Sequence, residues 1–192
     1  MNNKQQIWAK TILVAYKYLN TMCGAIDRLV EVTAKNSFYV GGVWHDESSV
    51  LNISEKILKL ADRKIDYINL KVLVEKILKA MPEKLAKILI LKYIKQIKTS
   101  DIIEACDMSI RSYYRRQSKA IESFAEHMKR LGFYSEKIEQ TFLNDMFIRS
   151  VYEEILNRYN SMLSNCDETY DNSRITDCIK KFETSNLVKI IV

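Results

Sequence analysis

Proline is almost missing from this 192-residue chain: Pro82 stands alone, and glycine occurs only at Gly24, Gly41, Gly42 and Gly132. Sandwiches and barrels need turn residues every few positions, so this scarcity excludes an all-β architecture and predicts an all-α fold. It also leaves no glycine-rich phosphate loop of either common pattern. Histidine is equally scarce, with His45 and His127 only. The four cysteines, Cys23, Cys106, Cys166 and Cys178, form no CxxC pair. Paired zinc ligands are therefore lacking, and the expectation is free thiols in a reducing compartment, with no metal and no cofactor.

Long apolar runs are missing as well. The run Ile12 to Tyr16 is far short of the roughly 20 residues a membrane span needs, and the first residues lack the zones of a signal peptide. The expected location is the cytoplasm, without a membrane partner. Neither paired carboxylates nor a nucleophile beside a base can be picked out, and His45 next to Asp46 is too little to make one. The chain reads as a non-enzyme with no catalytic residues.

What the sequence does have is unevenly placed charge. The whole chain carries a net +6, yet residues 76–130 hold 13 Lys and Arg against 6 Asp and Glu, a local net of +7. Residues 137–192 hold 7 against 9, net −2. A basic block of this kind favours an anionic partner, usually nucleic acid.

Helical periodicity organises the chain. Trp8, Ile12, Ala15, Leu19, Met22, Ile26 and Leu29 recur at alternating spacings of 4 and 3, which predicts one long helix over 4–34. Residues 35–50, with Gly41 and Gly42, read as a loop carrying a short hairpin or an apolar flap. Ser54 is a candidate N-cap for a second long helix reaching Ala80, with Leu58, Ala61, Ile65, Ile68 and Val72 as its buried stripe against the first. After Pro82 come helices near 83–96, 99–106 and 109–130, closed by Gly132, then one over 136–163. A polar loop, a short helix near 174–183 and an apolar tail, Leu187 to Val192, finish the chain. Three regions result: 1–80 for dimerisation or partner docking, 81–132 for DNA binding, and 133–192 as a helical extension.

Residues 97–121 fit a helix-turn-helix. Thr99 can cap a two-turn helix buried through Ile102, Ile103 and Cys106. Asp107 stands at the tight turn, where a left-handed backbone is tolerated, Met108 plugs the corner, and Ser109 caps the second helix. At 100° per residue, Ile110, Tyr113, Gln117, Ala120, Ile121, Phe124, Met128 and Leu131 share the inner side of that helix. Arg111, Ser112, Arg115, Ser118, Lys119 and Glu122 share the outer side, with Tyr114 and Arg116 at the boundary. Guanidinium groups in the first turns suit bidentate bonds to guanine edges and to phosphate.

Around this motif the chain resembles region 4 of bacterial sigma-70-type factors, the part that reads the promoter −35 element. Met81-Pro82-Glu83-Lys84-Leu85 through Leu91-Lys92-Tyr93 looks like that family's lead-in helix, and Arg116, Ser118 and Ala120 match typical positions. The segment from Ser109 to Arg115 is closer still to phage late-gene activators of the ArpU and RinA type. Asp107 stands where the family usually has Gly, Ile103 where it has a small Ala, and Lys98 where it has Ser or Thr. The resemblance implies a DNA-binding transcriptional regulator that contacts double-stranded DNA and RNA polymerase. Arg111, Ser112, Arg115 and Lys119 would face the major groove, with Tyr114 alongside. Lys98, Thr99, Arg116, Lys92 and Lys95 would hold phosphates. The long N-terminal helices would form a homodimer or dock a partner. The alternative expectation is a helical adaptor or inhibitor that binds polymerase or a sigma factor and no DNA, its acidic C-terminal segment covering the basic face.

Overall fold

The first helix is apolar nearly all round, and such a helix belongs at the centre of a fold. In the computed structural model, which describes residues 3–39 and 47–162, α1 (Asn3–Tyr16) buries Trp8, Ala9, Ile12, Leu13 and Ala15 completely. Around it lie α2 (Leu19–Tyr39), α3 (Glu47–Ala80), α4 (Glu83–Leu89), α5 (Thr99–Ala105), α6 (Ile110–Arg130), α7 (Ser135–Phe142) and α8 (Met146–Met162). Every element among the described residues is helical. No helix there is long and apolar enough to cross a membrane. The short C-terminal helix, the apolar tail, the Gly41-Gly42 hairpin or flap, and His45-Asp46 lie outside the described residues.

One core runs through the three regions drawn from the sequence. Trp8 stacks on Tyr152 of α8, with ring centroids 4.3 Å apart, and Phe147 receives Tyr18 and Tyr67 edge-on. Phe124, Ala125 and Met128 of α6 join the same cluster. The boundaries expected at 80/81 and 132/133 fall between helices, but the packing continues across both. Each large side chain buried here contributes about 1.5–3 kcal/mol.

Four expectations need correction. The single helix over 4–34 is two helices: at Tyr18 the backbone N–H bonds back to the Ala15 carbonyl at 2.9 Å, three residues away, and the axis breaks without proline or glycine. The loop over 35–50 is shorter, because α2 runs to Tyr39 and α3 already begins at Glu47. Ser54 therefore lies inside α3 and caps nothing. The helix over 136–163 is α7 and α8, divided at Asp145. That carboxylate caps α8 by accepting the Ile148 N–H at 2.8 Å, and it accepts the Tyr67 hydroxyl at 2.7 Å. Burial, reinforced by the Asp145 charge, pushes the Tyr67 phenol well above its ordinary value. The Arg63 guanidinium lies 3.4 Å from the same carboxylate.

The largest departure concerns α3. Leu58, Ile65, Ile68 and Val72, expected inside against the first helix, point to solvent; Leu58 is 63% exposed and Val72 56%. The residues that α3 buries are Tyr67, Leu70, Leu73, Val74 and Ile77. Both sets recur at helical spacing, so α3 has two apolar faces, and among the described residues only one of them is buried. The Trp8-to-Leu29 stripe, by contrast, is consumed entirely within the chain.

Candidate nucleic-acid interface

Pro82 sits at the N-cap of α4, where its missing N–H costs no helical bond, and α4 runs straight into a π-helical turn, Ile90–Ile94. That turn widens the helix: the Lys95 N–H reaches the Ile90 carbonyl at 2.8 Å and the Ile97 N–H reaches Leu91 at 2.9 Å. Gln96 leaves it with φ 54°, in the left-handed region. The chain is thereby turned into α5. Thr99 is the first residue of that helix and not its cap, because Lys98 occupies the cap position without a side-chain bond. The Thr99 hydroxyl instead accepts the Lys92 ammonium at 2.8 Å.

Between α5 and α6, Asp107 stands in the turn and Ser109 at the cap of α6. The Asp107 N–H bonds to the Glu104 carbonyl at 3.1 Å and the Met108 N–H to Ile103 at 3.2 Å, the paired closure of a Schellman motif. Asp107 adopts φ 44°, the left-handed conformation glycine takes most easily. Ser109 Oγ then accepts the Ser112 N–H at 3.2 Å and opens α6. Ile88, Ile102 and Tyr113 are buried beneath the corner, with Ile103, Cys106 and Met108 against them.

Two faces of α6 part cleanly. Tyr113, Gln117, Ala120, Phe124, Ala125 and Met128 are buried. The Gln117 amide donates to Tyr93 Oη at 3.2 Å, tying α6 to the π turn. On the opposite face Arg111, Arg115, Arg116, Ser118 and Lys119 are exposed, Ser112 is half-buried, and Lys95 and Lys98 are exposed nearby. Tyr114 is exposed and stands edge-on to Tyr113, 5.3 Å between centroids. Of the eight residues expected at the site, six are exposed and Ser112 and Thr99 are half-buried, with the Thr99 hydroxyl bonded to Lys92.

Ile110 departs from expectation. Helical phase places it on the inner side, yet it is 64% exposed, because the first turn of α6 projects past the end of the small core. Its position directly after the Ser109 cap was the signal. Leu131, also expected inside, is partly exposed for the same reason at the other end of the helix. There α6 closes on Gly132, with φ 80° and the Phe133 N–H bonded to the Met128 carbonyl at 2.9 Å. The Gln5 amide clasps this exit, donating to the Phe133 carbonyl and accepting the Ser135 N–H.

The described part of the C-terminal segment, α7 and α8, packs on α1, and residues 163–192 of that segment lie outside the described residues. The Lys4–Glu139 pair at 2.8 Å ties α7 to α1. Among the described residues no group of three or more His, Cys, Asp or Glu is placed to share a metal ion. Cys23 and Cys106 are free and half-buried, and burial pushes the Cys23 thiol up. Cys166 and Cys178 lie outside the described residues. No protein-family model matches the chain, and neither a characterised protein nor a solved structure does.

Proposed function

We propose that the protein is a DNA-binding transcriptional regulator whose α6 enters the major groove of double-stranded DNA. The observation that carries this is the exposure of four cations, Arg111, Arg115, Arg116 and Lys119, on the first three turns of a helix whose other face is buried. A duplex groove accepts a helix presented in that way, and the tight Asp107 turn between α5 and α6 supports the reading. Arg111 and Arg115 read base edges. Tyr114 and Ile110 supply apolar contact to thymine methyl groups. Lys98, Lys95 and Arg116 bond to phosphates and fix the register. The protein acts by binding, without a catalytic step.

The resemblance to sigma region 4 adds RNA polymerase as a partner in regulation. Self-association belongs to the long helices, since α3 keeps an apolar stripe in solvent. The test is a gel shift of the full chain on random and selected duplexes across salt concentrations. Affinity should fall steeply with salt. Arg115→Ala should weaken binding to the selected sequence by about 1–3 kcal/mol while changing random-sequence binding little. A chain that binds no duplex at physiological salt would instead be the polymerase-binding adaptor.

A further inference from the structure

We infer that the outward face of α3 is a homodimer interface, in which two copies of this chain pair their α3 helices antiparallel about a two-fold axis. Leu51, Leu58, Ile65 and Val72 stand seven residues apart on this face, with Val50 and Ile68 beside them, and all six are exposed. The stripe spans about 30 Å of helix. A strict seven-residue spacing drifts on a straight helix, and a left-handed supercoil around a second helix takes up that drift.

The described helices leave this face exposed. Tyr67, Leu70, Val74 and Ile77 turn the other side of α3 into the core, while Lys64 and Lys71 on its flank reach Asp27 and Asn20 of α2. The six exposed side chains offer on the order of 400 Å² of apolar surface per copy, as much as a typical monomer's largest patch. Two such faces with their polar rims reach the roughly 1,000 Å² that a specific interface needs. A groove of about 410 Å³ between the C-terminal half of α3 and the α6–α7 turn, lined by Leu70, Val72, Leu131, Phe133 and Phe142, continues the apolar surface.

Charge selects the occupant and its direction. Glu55, Asp62, Asn69 and Lys76 form a row along the outer flank of the stripe, again seven apart. In an antiparallel pair this row meets itself reversed: Glu55 faces the partner's Lys76, Asp62 faces the partner's Asn69, and Ile65 packs on the partner's Ile68 near the axis. A parallel pair would instead set Lys76 beside the partner's Lys71 and Asp62 beside the partner's Ile57. Opposite charges across such a seam stabilise one orientation, and like charges reject the other. The interface extends the self-association assigned above to the long helices, and it is independent of DNA binding, which the gel shift reads separately.

Sedimentation equilibrium of the full chain tests it. The expected species has twice the 22.5 kDa chain mass. Leu58→Lys with Ile65→Lys should weaken dimerisation by about 100-fold or more, with unchanged helical circular dichroism, since both positions are already in solvent. Glu55→Lys and Lys76→Glu should each weaken the dimer, and the two together should restore it. A monomeric wild-type chain at high micromolar concentration overturns the inference, as does a dimer indifferent to Leu58→Lys and Ile65→Lys. A charge-reversed double variant no better than either single one overturns the antiparallel pairing.

Discussion

The buried amide of Gln117 donates to the hydroxyl of Tyr93, 24 residues earlier, and so joins the helix proposed to read DNA to the π turn that leads into it. A buried donor without its acceptor costs more than the bond itself contributes. Tyr93→Phe should therefore destabilise the fold by about 1–2 kcal/mol, lowering Tm by roughly 2–8 °C. Adding Gln117→Leu removes the orphaned amide and should recover part of that loss. Thermal unfolding of the single and double variants checks this, and strictly additive losses would show that the bond carries no coupling.

Lys98 and Arg115 should fail differently on DNA. Lys98→Ala would remove the proposed phosphate contact, so affinity should drop about equally on all sequences and the salt slope should fall by about one counterion. Arg115→Ala should relax preference at one base pair. Binding to a set of single-base operator variants at two salt concentrations separates the two outcomes. Equal behaviour of both variants would remove the distinction between register and readout.

At Asp107 the backbone takes φ 44°, where a side chain costs about 1 kcal/mol relative to glycine. Asp107→Gly relieves that strain but gains entropy when unfolded, so its stability should stay within about 0.5 kcal/mol of wild type. Asp107→Val should lose about 1–2 kcal/mol, because a β-branched residue resists this region. Chemical denaturation measures both, and a harmless valine would mean that the turn adopts another geometry in solution.

Alkaline stability should depend on Tyr67. Its folded phenol titrates well above the ordinary value of 10.0, first through burial and then through Asp145. A group raised in this way contributes stability that is complete below the unfolded pKa and lost as pH climbs above it. The wild type should therefore lose stability from about pH 10 upward. Tyr67→Phe should cost about 1–2 kcal/mol at pH 7 and show a shallower decline between pH 9 and 11. Some decline should persist, since Tyr16, pushed up to about 12 by burial and its bond to Glu75, acts in the same sense. Parallel declines in both proteins would exclude Tyr67 as the source.

The turn between α5 and α6 was legible because its signals are local. A cap at Ser109, a tolerant residue at Asp107 and a plug at Met108 act within a few residues of chain, and α6 begins one residue from the expected start. The direction of α3 was not legible. Its sequence carries two apolar stripes, and only the tertiary neighbours decide which one the chain covers. The break at Tyr18 has no breaker residue to announce it. Nor was the division at Asp145 legible, since apolar residues continue at helical spacing on both sides of it, and its bond from Tyr67, 78 residues away, depends on packing that spacing cannot reveal.

The second half of α6 lies in the same core as Trp8, and a Schellman turn, not a linker, joins it to α7. Regulators that hang their reading heads on flexible tethers tolerate changes in half-site separation. Here a head cannot swivel without repacking Phe124 and Met128. Each base pair inserted between two half-sites rotates one against the other by about 35°. For a dimer that reads DNA through α6 as proposed, the spacing of a two-part operator should thus be fixed to the base pair: rotational phase, more than sequence at the half-site margins, would decide which sites it occupies.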